Sequence, residues 1–104
     1  MPPRISKAVL YDLRNRIDIA GLIDHLGIPH KVREGYLRFL CPLCADFHTA
    51  TNPRTNLACC FTCQRNFNPI DLTIVVKECG FLAAVRYLQQ VRKEIPARED
   101  PQLS

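Results

Sequence analysis

The chain has 104 residues, enough for one small domain and too few for a large hydrophobic core. Its formal net charge of +4 admits a nucleic-acid partner without demanding one, and four thiolates around a divalent zinc would lower it to about +2. No apolar run follows Met-Pro-Pro-Arg-Ile-Ser-Lys, and no stretch approaches the ~20 apolar residues of a membrane helix, so neither a signal peptide nor a membrane partner is expected. A cytoplasmic location is the expectation, and six cysteines in a reducing compartment argue for metal rather than disulfides.

In chain order, Ser6 is placed to cap a short helix reaching Leu13, with Val9, Leu10 and Leu13 on one side. A second helix is predicted over 18–26, where Ile19, Leu22, Ile23 and Leu26 recur at helical spacing. Gly27 stops it and Pro29 prevents its resumption. Glu34-Gly35 reads as the turn of a β-hairpin whose second strand is Tyr36 to Leu40. The polar run from Thr49 to Asn56 is a loop or a second hairpin, and Leu57 to Phe61 a short strand. Pro69 suits the first turn of a helix that runs to near Gly80, with Asp71 in a structural role beside the helix N-terminus. A last helix from Phe81 to about Arg92 places Leu82, Val85, Leu88 and Val91 on one face. The fold class is therefore α+β: a zinc ribbon with a small antiparallel β-sheet flanked by N-terminal and C-terminal helices. The division expected is an N-terminal segment over 1–15, the zinc-ribbon domain over 16–93 and a disordered tail over 94–104.

The cysteines carry the chemistry. Cys41-x-x-Cys44 and Cys60-x-x-Cys63 lie fifteen residues apart, the spacing of a two-knuckle metal site. Each tight turn aims both of its sulfurs inward, and two turns complete a tetrahedron of thiolates. Soft sulfur ligands favour zinc or an iron–sulfur cluster over magnesium or calcium, and one zinc per chain is the expectation. A redox pair would begin a helix, whereas Cys41 ends a strand-like run and Pro42 follows it. Cys59 is the alternative to Cys60, and His48 would replace Cys44 in a Cys3His site; the x-x spacing favours Cys60 and Cys44. Cys79 is expected to pack as an apolar residue.

With these knuckles placed, residues 16–88 resemble the zinc-binding domain of bacterial DnaG-type DNA primases. Arg16-Ile17-Asp18-Ile19 with Leu22-Ile23 resembles that family's first helix. Phe39-x-Cys41-Pro42-Leu43-Cys44 is similar to its Cys-Pro-Phe-His knuckle, and Cys60-Phe61-Thr62-Cys63 to its Cys-Phe-Gly-Cys knuckle. Asn68-Pro69-Ile70-Asp71-Leu72, then Phe81, Val85 and Leu88, falls on its closing helices. Three features depart from the pattern. Cys44 replaces the usual histidine, Gln64 to Phe67 replace the glycines after the second knuckle, and Phe47 to Thr51 replace a Lys-Thr-Pro-Ser-Phe run.

The resemblance implies a ribbon sheet that contacts single-stranded template DNA and helps start a primer. Lys31, Arg33, Tyr36, Arg38 and Phe39 interleave charge with aromatic rings on the predicted hairpin, the composition that single-strand binding uses. Arg54, Phe61 and Arg65 would extend that surface, with His48, Asn52 and Asn56 as candidates for base contacts. Phe39 and Phe61 are expected to pack beside the metal, and Tyr36 to stay exposed. The aspartates at 12, 18, 24, 46, 71 and 100 form no motif for the two metals of a polymerase site. The module is thus expected not to be active alone. Its expected partners are single-stranded DNA and, in trans, a primase polymerase domain or helicase, with no small-molecule substrate. The rival reading is a protein-interaction module that docks on a primase, a helicase or a mobile-element replication protein.

Overall fold

The computed structural model describes residues 5–96; residues 1–4 of the expected N-terminal segment and residues 97–104 of the expected tail lie outside the described residues. Helix α1, Lys7–Asn15, begins where the Ser6 hydroxyl accepts from the Val9 N–H, and α2, Ile19–His25, where the Asp18 carboxylate accepts from the Gly21 N–H. Strands β1, His30–Arg33, and β2, Tyr36–Phe39, form an antiparallel hairpin. Its turn needs positive φ at both central residues, which Glu34 (56°) and Gly35 (81°) supply.

A second antiparallel sheet contains β3, Thr49–Asn52, β4, Leu57–Cys60, and β5, Arg65–Phe67, in that order. The polar run after the first knuckle is therefore a hairpin strand. Helix α3, Pro69–Lys77, opens on a capping box in which Asn68 and Asp71 satisfy each other's backbone, the structural role expected of Asp71. It ends before Gly80 because Glu78 turns into the left-handed region at φ 51°. Helix α4, Phe81–Val91, follows and runs into a short 3-10 turn, Arg92–Glu94. Ala84, not Leu82, joins Val85, Leu88 and Val91 on its buried face.

One core joins these elements. Leu13, Ile19, Leu22, Ile23, Phe39, Leu72 and Leu88 are fully buried in it, and α1 packs against both α3 and α4. The helix at 7–15 thus shares the core of the ribbon. The core also reaches into the stretch expected as tail: Ile95 is 6% exposed and approaches Gly21 of α2 so closely that a Cβ there would lie 2.9 Å from its side chain. Among the described residues no helix is long and apolar enough to cross a membrane.

Two polar side chains stitch the parts together. The fully buried Thr49 hydroxyl accepts from the Phe39 N–H (2.8 Å) and donates to the Phe39 carbonyl (2.6 Å), so it stands in for a ladder pair between β2 and β3. Asn56, also fully buried, accepts from the Ile19 N–H (2.9 Å) and donates to the carbonyls of Ile17 (2.6 Å) and Arg14 (2.8 Å). It pins the β3–β4 turn to the junction of α1 and α2, and it sits at φ 59°, a conformation that asparagine tolerates well.

Candidate metal centre

The first knuckle follows β2 directly. Its turn is closed by Ala45 N–H to the Cys41 carbonyl (2.9 Å) and by Cys41 N–H to the Asp46 carbonyl (3.0 Å). The second knuckle joins β4 to β5, with Cys60 paired to Arg65 across the ladder. In both, the residue after the second cysteine is left-handed: Ala45 at φ 57° and Gln64 at φ 55°. Neither is glycine, so each holds this geometry against roughly 1–2 kcal/mol of local strain. The two knuckles are clamped by Asp46, whose carboxylate accepts from the Thr62 hydroxyl (2.9 Å) and the His48 N–H (3.0 Å). The Thr62 hydroxyl, followed by the His48 N–H, holds that carboxyl below its ordinary range.

The four sulfurs of Cys41, Cys44, Cys60 and Cys63 converge to within 4.8 Å of one another. Two contacts cross between knuckles, Cys41 to Cys63 at 3.7 Å and Cys44 to Cys60 at 3.5 Å. A tetrahedron with Zn–S bonds of ~2.3 Å has edges of about 3.8 Å, so the donor set has the size and chemistry that zinc requires. The same distances are far beyond a disulfide bond of ~2.05 Å, and all six cysteines are free thiols. The cluster thus forms a candidate metal-binding module.

The thiols do not share one environment. Cys41 and Cys60 are buried, Cys63 is half-buried and Cys44 is exposed. Desolvation works to raise the Cys60 thiol, but hydrogen bonds from the Cys63 backbone and thiol, then from Cys44 and Cys41, bring it down to about 7. Desolvation, then the neighbouring Cys60 and Cys41 sulfurs, push Cys63 up to about 12. The cluster therefore loses its protons stepwise, and a divalent cation would displace those that remain.

The other sulfurs and the histidine stand apart from the cluster. Cys59 points to the opposite face of β4 from Cys60, as strand alternation dictates. Cys79 packs against the core. His48 lies outside the four-sulfur group, its ring tilted against Phe61 with centroids 5.3 Å apart.

The residues expected to touch nucleic acid divide into groups. The β1–β2 register sets Lys31 opposite Arg38 and Arg33 opposite Tyr36, which places all four side chains on one face of the hairpin. That face is tied to the metal loops: the Arg38 guanidinium donates to the Thr49 carbonyl (3.1 Å), and the Lys31 ammonium lies 4.7 Å from the centre of the Phe47 ring. Tyr36 is 58% exposed, as expected. His48 sits at the knuckle tip beside Phe61. Arg54, in contrast, lies in the β3–β4 turn at the end of the ladder remote from Cys60, and Arg65 lies on β5 at the opposite edge from the hairpin. Neither joins the hairpin face.

Two aromatic and amide expectations need correction. Phe39 is buried, but Phe61 is 52% exposed rather than packed beside the metal. The intervening positions of a knuckle turn outward when both sulfurs turn inward; Leu43, in the first knuckle, is exposed for the same reason. Asn56 is a buried structural bridge and offers nothing to a base, while the Asn52 carboxamide oxygen accepts from the Arg54 and Thr55 N–H groups of its own turn. Sequence reasoning passed over Phe47, Thr49, Asp46 and Thr62. The signal for Asp46 and Thr62 was their position on or just beside the knuckles. Comparisons with protein-family models, curated proteins and solved structures return no match to this chain.

Proposed function

We propose that this chain is a zinc-binding module that holds single-stranded DNA on its β1–β2 hairpin and serves primer synthesis in replication, with the polymerase supplied by a separate partner. The observation that carries the DNA reading is the hairpin register, which gathers Lys31, Arg33, Arg38 and Tyr36 on one face next to the four-cysteine cluster. The cations track phosphates, and the exposed Tyr36 ring offers a stacking platform for a base at roughly 1–3 kcal/mol. Zinc, held by Cys41, Cys44, Cys60 and Cys63, supplies rigidity rather than chemistry: it fixes the loops that Lys31 and Arg38 lean on. The primer-synthesis part of the reading is supported by the likeness of the two knuckles and closing helices to those of primase zinc domains.

The test is a fluorescence-anisotropy titration of labelled single-stranded DNA with the zinc-loaded chain across a salt series. Three phosphate-seeking cations give an expected slope of log K against log salt of about −2. Replacing Arg33 and Arg38 together by alanine should weaken binding and reduce the slope to about −1, with zinc still near one per chain. No saturable binding at low salt would defeat the DNA reading and favour a protein-docking module. The replication role is checked separately, by adding the zinc-loaded chain to a primase polymerase domain deprived of its own zinc module. Primer yield on a single-stranded template should rise; an unchanged yield removes the role.

A further inference from the structure

The two sheets leave two open edges, and they differ in character. β1 is exposed along its length and carries Lys31 and Arg33, charges that discourage strand pairing and suit the DNA face. β5 is the other edge, paired to β4 alone. Beside it runs α3, which is apolar on more than its buried side. Ile70 and Leu72 face the core, and Ile74 and Val75 pack against its margin yet stay half-exposed, with Asp71 one turn before Val75. Between β5 and α3 lies an open groove of about 350 Å³ lined by Arg65, Asn66, Phe67, Asp71, Ile74 and Val75.

The charges at this groove are unequal. The Asp71 carboxylate is engaged in the α3 capping box. The Arg65 guanidinium is exposed and has no ion-pair partner among the described residues. Strand alternation puts Arg65 and Phe67 on one face of β5, with Asn66 on the other. From this placement we infer that the β5–α3 groove is a docking site for an extended segment of a partner protein. That segment adds to the edge of β5, sets a carboxylate against Arg65, and two residues on sets an aliphatic side chain against Ile74 and Val75. Strand addition supplies affinity through the backbone groups of the β5 edge, and the alternating side chains supply selectivity. The occupant is thus recognised by an acid-x-aliphatic pattern, and the site is independent of the hairpin face at the far edge of the fold.

The test pans a displayed library of random decapeptides against the zinc-loaded full chain and maps the enriched peptide by amide chemical shifts. Enrichment of Asp or Glu two positions before Val, Ile or Leu, with shifts centred on residues 65–75, is expected. Arg65→Glu should then weaken the peptide about tenfold, and exchanging the peptide's acid for lysine should restore binding to that variant. Val75→Lys should abolish binding while zinc content stays near one per chain. The Arg33→Ala, Arg38→Ala protein should bind the peptide normally, which separates this site from the DNA reading. No enrichment over the unselected library, or shifts confined to β1 and β2, would overturn the inference. So would self-association lost in Arg65→Glu, since that assigns the groove to a second copy of the chain.

Discussion

Thr49→Val isolates the joint between the two sheets. Valine keeps the shape of threonine and its β-branched preference for a strand, so the change removes the hydroxyl and little else. Two backbone groups of the buried Phe39 then lose their partner, the N–H at 2.8 Å and the carbonyl at 2.6 Å. Each buried polar group left unmet costs about 1–3 kcal/mol, and the added methyl returns part of that. The expected destabilisation is about 3 kcal/mol. Thr51→Val is the matched control, because Thr51 lies on the same face of β3 two residues on, and its side chain makes no hydrogen bond among the described residues. It should cost less than about 1 kcal/mol. Both variants are unfolded in urea at one fixed free-zinc concentration, since metal binding otherwise contributes to the apparent stability. Equal losses for the two variants would show that the Thr49 hydroxyl does not bridge the sheets.

Four further outcomes follow from the same contacts. Removing zinc with a chelator should lower the thermal transition steeply, because binding free energy at a structural site is folding free energy; an unchanged thermal transition in excess chelator refutes a structural metal. Cys44→Ser should lower zinc content well below one per chain, whereas Cys59→Ser and Cys79→Ser should leave it unchanged, as metal analysis of the purified variants will read. Asn56→Ala should cost about 2–4 kcal/mol, since it strands the Ile19 N–H and the Ile17 carbonyl in buried positions and puts alanine at φ 59°. Zinc affinity should fall as pH falls, because the cation binds thiolates and competes with protons; the decline should steepen once pH passes below about 7, where Cys60 regains its proton. Calorimetric titrations in two buffers of different ionisation enthalpy count the protons released, and a count of zero would exclude thiolate ligation.

The local signals in the sequence carried most of the fold. Ser6 and Asp18 cap the helices they were placed to start, Glu34-Gly35 makes the tight turn, and the knuckle spacing brings together the four expected sulfurs. What escaped detection depends on pairing at a distance. β5 has only three residues and no alternation to announce it; it is a strand because β4 offers a ladder. α3 keeps apolar residues up to Val76, so nothing before Gly80 marks the left-handed Glu78 that ends it. Ile95 reads as part of a proline-bearing polar end, and only the missing side chain of Gly21 makes room for it. The candidate surface split for the same reason. Residues on one hairpin share a face by register, which the two-residue turn already fixes, but Arg54 and Arg65 belong to a different sheet whose orientation no local pattern encodes.

The candidate metal centre and the proposed DNA face are coupled through very few residues. Phe39, at the end of β2, is two positions from Cys41; Thr49, at the start of β3, is the ladder partner of Cys60. The Phe39–Thr49 bonds therefore lie between one ligand from each knuckle, and the Arg38 guanidinium rests on the carbonyl of the same Thr49. When the knuckles are held together, β2 cannot swing away from β3 without breaking those bonds in a buried site. When the metal is withdrawn, the thiols repel as they ionise and the clamp at Asp46 is left to oppose them alone. The hairpin then keeps its own tight turn but loses its fixed position. Loss of zinc should consequently weaken DNA binding through orientation even at temperatures where the helices persist, whereas Arg33→Ala with Arg38→Ala weakens it through charge. The salt slope distinguishes the two: it stays near its original value in the first case and falls in the second.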